Sequence, residues 1–280
     1  MGPISLVVPL FSDGRTYVNR LPLQRRQWIS LKNQTDPNFE LIAVDNASYD
    51  NVRGLFEEYF PSQVYVRHET PNNRPGARLA GALKAKHPWV VTLDSECIVF
   101  PHYIENWKRF ITEHQETVGT GGCAAYVGPI LSGREFILGT PGNEKLDYVE
   151  FEKFARGLGI QSIVGHFVPP SFADADVKGI IAWPHNWVIG FSYANAAFPK
   201  KVLIEAATPD AHLCGYGYED KLVGLRLQYA KVTTLDVAGV PYIHQCHRTN
   251  DERSGIEDCN NLAKNIKILQ DVTDQLFPKK

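Results

Sequence analysis

Cysteine is scarce in this sequence, and the few present form no framework. Cys97, Cys123, Cys214, Cys246 and Cys259 are odd in number, and no two stand at Cys-x-x-Cys spacing. That argues against a disulfide scaffold and against a zinc site of four thiolates. A reducing compartment is the simplest expectation, and it points to the cytoplasm. No apolar run approaches the ~18 residues of a membrane-spanning helix. The N-terminus shows no basic segment followed by an apolar one, so a signal peptide is not expected; peripheral contact with a membrane stays open. An excess of one charge sign is also missing. With 29 Lys and Arg against 31 Asp and Glu, the formal net charge is −2. No global field therefore favours nucleic acid or an anionic surface, and a phosphate ligand must be held by local groups. There is no Gly-x-Gly-x-x-Gly, no phosphate-loop Gly-x-x-x-x-Gly-Lys-Ser/Thr and no Gly-x-Ser-x-Gly elbow.

What is present is an ordinary globular composition, 44% hydrophobic and 21% charged over 280 residues, enough to bury a sizeable core. Residues 1–100 alternate short Val- and Ile-rich runs with amphipathic stretches, the pattern of βαβ units. Strands are expected at 4–9, 39–44, 64–67 and 89–93, and helices at 16–32, 50–60 and 75–86. An open, doubly wound sheet follows, with ligands bound at the carboxyl ends of its strands. Polar residues stand at two of those ends: Asp45-Asn46-Ala47-Ser48 and Asp94-Ser95-Glu96. Beyond a strand at 122–127, residues 128–180 show no clear period and read as an irregular functional insertion. Helices are expected at 200–207 and 219–229, and strands at 231–237 and 241–244. An amphipathic helix is expected at 256–277. No repeat or linker interrupts the chain, so it reads as one domain over 1–280. Residues 1–100 form its nucleotide half, 101–250 its acceptor and catalytic half, and 251–280 a C-terminal helix.

Five groups of residues can carry chemistry. Asp94 and Glu96 are oxygen ligands of the kind Mg²⁺ or Mn²⁺ takes, or else part of a solvated loop. Glu219 and Asp220 follow Gly215-Tyr216-Gly217-Tyr218 and fall in a first helical turn. There a carboxylate either interacts with the helix dipole as a cap or serves as a general base. His244 and His247 flank Gln245-Cys246; a zinc half-site lacks its second cluster, and a single imidazole completing an oxygen-rich Mn²⁺ site fits better. Arg74 and Arg78 suit bidentate phosphate contacts, whereas Lys84 reads as solvent-facing. Trp183, His185 and Trp187 are either an aromatic platform for a sugar face or core.

In order, these segments resemble family 2 of the GT-A glycosyltransferases. The residues that carry the likeness are the opening strand Ser5–Leu10, the segment Glu40-Leu41-Ile42-Ala43-Val44-Asp45-Asn46-Ala47-Ser48, and Gly76-Ala77-Arg78-Leu79-Ala80-Gly81. Val90-Val91-Thr92-Leu93-Asp94-Ser95-Glu96 looks like the family's Asp-x-Asp, with Glu in third place. Residues 190–198, which include Asn195, resemble a segment lining the donor sugar. Residues 215–220 resemble the Gly-Glu-Asp motif of galactosyl- and N-acetylgalactosaminyltransferases and chondroitin-polymerase-like domains. Tyr242-Ile243-His244-Gln245 resembles their metal-binding histidine segment.

The resemblance implies a GT-A fold: a Rossmann-like α/β architecture with a mixed, mostly parallel sheet flanked by helices. It implies a metal-dependent, inverting transfer of a sugar from a nucleoside-diphosphate donor, UDP-linked, to an acceptor hydroxyl of a glycan or glycoconjugate. Asp45 would bind the base with Pro9 and Phe11 beside it. Arg78 and Asp94 would hold ribose and diphosphate, and Asn195 the donor sugar. Asp94, Glu96 and His244, with His247 as the competing imidazole, would coordinate Mn²⁺ or Mg²⁺. Asp220 would take the acceptor proton while Glu219 orients the acceptor. The competing readings are a sugar-1-phosphate nucleotidylyltransferase, for which Phe11-Ser12-Asp13-Gly14-Arg15 is a poor loop, and a non-catalytic sugar-nucleotide or glycan binder.

Overall fold

The computed structural model describes residues 2–12, 20–71, 73–127, 136–157, 182–184, 191–213, 217–245 and 257–278. The first strand, β1 (Ser5–Leu10), is buried on both faces and pairs in parallel with β2 (Glu40–Asn46) on one side and β4 (Trp89–Leu93) on the other. β3 (Val64–His68) extends the parallel set beyond β2. Between these strands run α1 (Leu21–Lys32), α2 (Val52–Tyr59) and α3 (Arg74–Lys84).

Alternation along β1 sends Leu6, Val8 and Leu10 to one face and Val7 to the other, the period-two geometry of a strand. The first face packs on Trp28 of α1, Phe56 of α2 and, further along the sheet, Trp107 and Phe110. The second packs on Ala77 and Ala82 of α3. Asn51 and Asn73 cap α2 and α3 by accepting from the Gly54 and Gly76 amides at 2.9 and 2.8 Å, the local interaction that favours Asn at helix starts.

The second half continues the same sheet: β5 (Cys97–Val99), α4 (Tyr103–Glu113), β6 (Val118–Val127), β9 (Ala182–Pro184), β10 (Asn195–Pro199), α6 (Lys200–Ala207), α7 (Glu219–Tyr229) and β11 (Thr234–Gln245). The strand order is β3-β2-β1-β4-β10-β6-β11-β5, with β9 paired to β11. β10 runs antiparallel to both β4 and β6, β11 is parallel to β6, and β5 and β9 are antiparallel to β11. The sheet is therefore mixed and mostly parallel. A terminal helix, α8 (Glu257–Leu276), reaches back so that Asn265 donates to the Gly217 carbonyl at 3.1 Å.

Three sequence expectations change. The strand β5 and helix α4 were not anticipated, although Tyr103, Ile104, Trp107, Phe110 and Ile111 fall at helical spacing and most of them are buried. The strands expected at 231–237 and 241–244 are one strand, β11, with register shifts between Val237 and Ile243. Pro241, which has no N–H for a ladder, lies inside that stretch. Part of the stretch read as irregular, 136–157, forms a hairpin of β7 (Ile137–Leu138) and β8 (Lys145–Leu146) followed by α5 (Tyr148–Gly157). Tyr148 stacks on Phe100 at 5.2 Å, and Arg25 of α1 meets Glu144 at 2.9 Å, so tertiary contacts order what local patterning left undecided. The rest of 128–180 lies outside the described residues.

Gly81 sets how closely α3 approaches the sheet. A Cβ there would run into Val7 Cγ1 and come within 3.0 Å of Val44 Cγ2. Gly81→Ala is therefore expected to cost about 1–3 kcal/mol through overpacking of rigid β-branched neighbours. A lowered urea midpoint with an unchanged slope is the expected reading, and an unchanged midpoint would show that α3 can shift without cost.

Candidate active site

The carboxyl ends of β1, β2 and β4 meet the start of α3 around one open cavity. It is lined by Pro9, Leu10, Phe11, Arg20, Asn46, Arg74, Arg78, Asp94, Ser95 and Glu96. Three of these are arginines, in a chain whose net charge is −2. The positive charge that an anionic ligand needs is thus gathered locally. The Arg20 guanidinium lies 6.0 Å from the Phe11 ring centroid.

Arg78 is the most constrained of the three. It is buried, and one of its amines donates to Asp94 Oδ1 at 2.6 Å. Its guanidinium lies 4.8 Å from the ring centroid of buried Tyr193, a cation–π distance. Nε and the second amine have no hydrogen-bond partner. Burial by itself would lower the pKa of this guanidinium, but the carboxylates of Asp94, Asp220 and Glu219 outweigh it and raise the pKa. Buried donors without partners are costly, and here they sit beside a cavity that can supply acceptor oxygens.

Glu219 and Asp220 open α7, entered through two left-handed residues, Gly217 (φ 94°) and Tyr218 (φ 70°). Positive φ is costly for a residue with a β-carbon, so the sharp entry at Tyr218 is held by its surroundings, the Asn265–Gly217 bond among them. Tyr218 is the N-cap residue and no side chain caps this helix. Asp220 Oδ1 is buried and has no hydrogen-bond partner among the described residues. Burial pushes the Asp220 carboxyl up to about 7. Glu219 and Asp94 add to that shift, and Arg78 and Lys221 oppose it. Glu219 is buried, with Arg74 at 3.9 Å.

The turn 94–96 joins β4 to β5, and β5 pairs with the end of β11, His244 opposite Cys97. This brings His244 Nε2 to 3.6 Å from Glu96 Oε1. Asp94, the third predicted ligand, has its Oδ1 engaged by Arg78. Among the described residues no group of three or more His, Cys, Asp or Glu side chains is arranged to hold a metal. One carboxylate and one imidazole nevertheless suit a hard cation that takes its other ligands from phosphate oxygens and water.

Two predicted donor-site residues lie away from the cavity lining. Asp45 is 1% exposed. Ala47 (φ 57°) turns the chain so that the Ser48 amide donates to Asp45 Oδ1 at 2.8 Å, while Tyr65 Oη donates to Oδ2 at 2.6 Å and Arg67 also pairs with it. Despite its burial, these donors hold the Asp45 carboxyl below the usual carboxylate range. Asn195 is likewise committed inside the core. It accepts from Tyr103 Oη and donates to the Val240 carbonyl, both at 2.7 Å. Pro9, Phe11, Arg78, Asp94 and Glu96 do line the cavity. His247, His185 and Trp187 lie outside the described residues, and of Trp183 only the backbone strand is described. Arg20, Asn46 and Tyr193 were not anticipated. Asn46 was legible as the second polar residue at a strand end and Tyr193 as part of the segment 190–198, whereas Arg20 carries no local signal.

A mixed, mostly parallel sheet flanked by helices, with a polar cavity at its strand ends, has the GT-A fold. Residues 16–167 match the family model described as glycosyl transferase family 2, and the chain belongs to that family. A curated relative, glycosyltransferase GlyG of Streptococcus pneumoniae serotype 4, is 29% identical over 126 residues; the match covers 44% of this chain and 40% of GlyG. Among solved structures, S. aureus TarS 1–349 in complex with UDP-GlcNAc is similar with a TM-score of 0.60 and 15% identity. That match covers 99% of this chain and 68% of the other. A longer TarS structure matches with a TM-score of 0.54, 98% of this chain covering 44% of it. This chain thus spans less than half of GlyG and of the longer TarS. Among the described residues no helix is long and apolar enough to cross a membrane. The Cys97 thiol is buried and donates to the Ala194 carbonyl at 3.9 Å.

Proposed function

We propose that this chain is a metal-dependent, inverting glycosyltransferase moving a hexose or N-acetylhexosamine from a UDP-linked donor to a hydroxyl of a glycan or glycoconjugate. The observation that carries the reading is the convergence of Arg20, Arg74 and Arg78 with Asp94 and Glu96 in one cavity at the strand ends. Such a set binds a diphosphate and leaves carboxylate for a cation. The family match supports sugar transfer. TarS, which shares the fold, was crystallised with UDP and with UDP-GlcNAc, which favours uracil and an N-acetylhexosamine. The Glu219-Asp220 segment keeps its resemblance to the galactosyl-, N-acetylgalactosaminyl- and chondroitin-polymerase-like branch. We read the chain as one domain acting in the cytoplasm.

In this reading the arginines hold the donor diphosphate, and Arg78 turns its two unpartnered nitrogens to it. Glu96 and His244, with His247 as the alternative imidazole, would hold Mn²⁺ or Mg²⁺. That ion supplies Lewis-acid neutralisation of charge on the departing diphosphate. Asp220 accepts the proton of the acceptor hydroxyl, and Glu219 orients that hydroxyl, so Glu219→Gln acts mainly on acceptor affinity. Pro9 and Phe11 flank the base. Asp45 supports the base end by holding Ser48, Tyr65 and Arg67 in place.

The direct test is a screen of UDP- and GDP-sugars with Mn²⁺ or Mg²⁺, with and without glycan acceptors, read as nucleotide release. Release that ignores both metal and donor identity would overturn the reading. Asp45→Ala is expected to weaken UDP binding in a calorimetric titration and to lower the melting temperature, since Tyr65 and Arg67 lose their acceptor. Its turnover at saturating donor should be little changed. An unaltered UDP affinity would remove Asp45 from the donor site.

A further inference from the structure

Beneath the turn 94–96 lies a buried polar network that the proposed chemistry does not itself use. Gln245, fully buried at the end of β11, donates from its backbone amide to the Glu96 carbonyl at 3.0 Å and from its side chain to the same carbonyl at 3.1 Å. The same side-chain amide donates to the Leu23 carbonyl at 3.0 Å, and its oxygen accepts from Arg26 Nε at 2.6 Å. One turn of α1 away from Leu23, Gln27 donates to the Asp94 carbonyl at 2.5 Å. Arg26 and Gln27 are both buried on α1. Every carbonyl of the turn that bears an acidic side chain is therefore fastened from below.

Polar side chains at such positions are expensive. A helix face packed against a sheet is ordinarily apolar, and burying a guanidinium and two primary amides costs free energy that Leu or Met would not incur. The network also has a specific aim. Consecutive strand residues point to opposite faces. Gln245 thus grips the Glu96 backbone from the α1 side, while its neighbour His244 approaches the Glu96 carboxylate at 3.6 Å from the cavity side.

We propose that Arg26, Gln27 and Gln245 are positioning residues for sugar transfer, holding the Asp94 and Glu96 carboxylates in the geometry that cation and diphosphate require. This rests on the donor-site reading above. Partners one step removed from a metal's ligands typically change its affinity or the activity ~10–100-fold when lost. A merely structural role would instead appear only as lost stability.

The test compares wild type with Gln245→Leu and Gln27→Leu by three measurements. These are the melting temperature, Mn²⁺ affinity in the presence of UDP followed by the spin resonance of free Mn²⁺, and transfer against Mn²⁺ concentration. Both variants are expected to bind Mn²⁺ with UDP ~10–100-fold more weakly. Gln27→Asn, too short to reach the Asp94 carbonyl, should follow Gln27→Leu. Should Gln245→Leu not fold, Gln27→Leu decides alone, because it removes a single contact. Folded Gln27→Leu with wild-type Mn²⁺ affinity and a lowered melting temperature overturns the positioning role and leaves the donor-site reading standing. Wild type that binds no Mn²⁺ with UDP overturns both.

Discussion

Asp220→Asn should give a folded protein that binds UDP and metal like the wild type and transfers sugar ~10²–10⁴-fold more slowly, the loss typical of a positioned proton acceptor. Asn keeps the shape and removes only the ability to take a proton. A cap residue would tolerate that exchange, and here Asp220 Oδ1 makes no hydrogen bond that Asn could break. An aspartate at its ordinary value is a weak base. Burial, with Glu219 and Asp94 adding to it, lifts Asp220 to about 7, where a carboxylate is both ionised enough and basic enough to work near neutrality. Transfer by wild type should therefore rise with pH through about 7 and level off. Asp220→Asn should show no such limb. Glu219→Gln, which removes a negative neighbour, should move the limb to lower pH. A product that keeps the donor's anomeric configuration would withdraw this role from Asp220 even if the variant were inactive.

The same shift has a stability consequence of known sign. Asp220 is raised in the folded state above its unfolded value, so the folded chain holds its proton more tightly. Stability from that proton is full below the unfolded pKa and is lost as pH rises towards and through about 7. At pH 8 wild type carries a buried charge that Asn does not. Asp220→Asn should then melt higher than wild type by about 2–4 °C, the shift that ~1 kcal/mol produces in a chain of this size class. Near pH 4 the difference should vanish. A catalytic group that costs stability when ionised is the pattern expected of an active site.

How far the sequence alone reached depended on how local each signal was. The strands β1 to β4 were legible within two residues because each is a compact Val- and Ile-rich run, and Asp94 and Glu96 followed from their position at a strand end. Helix α4 carried an equally clear 3.6-residue period at Tyr103, Trp107 and Phe110 and was nonetheless passed over, so its signal was present and unused. Other features depend on distant partners. Asp45 shows nothing in its own neighbourhood to mark it as bound by Tyr65 and Arg67 on the next strand. The side chain of Asn195 joins Tyr103 to the Val240 carbonyl, contacts separated by 92 and 45 residues in the chain. Tyr193, just before β10, reaches the Arg78 guanidinium because β10 lies antiparallel beside β4. The partners of buried polar groups are tertiary facts, and side chains such as Gln245 gain meaning only from them.

Arg78→Met should reduce transfer about 10²- to 10³-fold, the loss typical of removing one preorganised donor from charge that develops in the transition state. Three consequences combine. Asp94 loses the donor at 2.6 Å that holds its carboxylate. The donor diphosphate loses the two guanidinium nitrogens that have no partner among the described residues. Asp220 loses the neighbouring cation that most strongly opposes its upward shift, so the pH limb of transfer should move to higher pH. Arg78→Lys separates these effects. Lys retains the positive charge and so should keep the limb near its wild-type position. It lacks the planar fork that both stacks on an aromatic face and binds oxygens in pairs, and Arg78 uses such a stack, 4.8 Å above the Tyr193 ring. Arg78→Lys should therefore bind UDP more weakly than wild type with its pH profile intact, whereas Arg78→Met should lose affinity and shift the profile together. Calorimetric UDP titrations and pH–rate profiles of both variants decide the matter. Arg78→Met with wild-type UDP affinity and an unmoved limb would exclude Arg78 from both the donor site and the electrostatic control of Asp220.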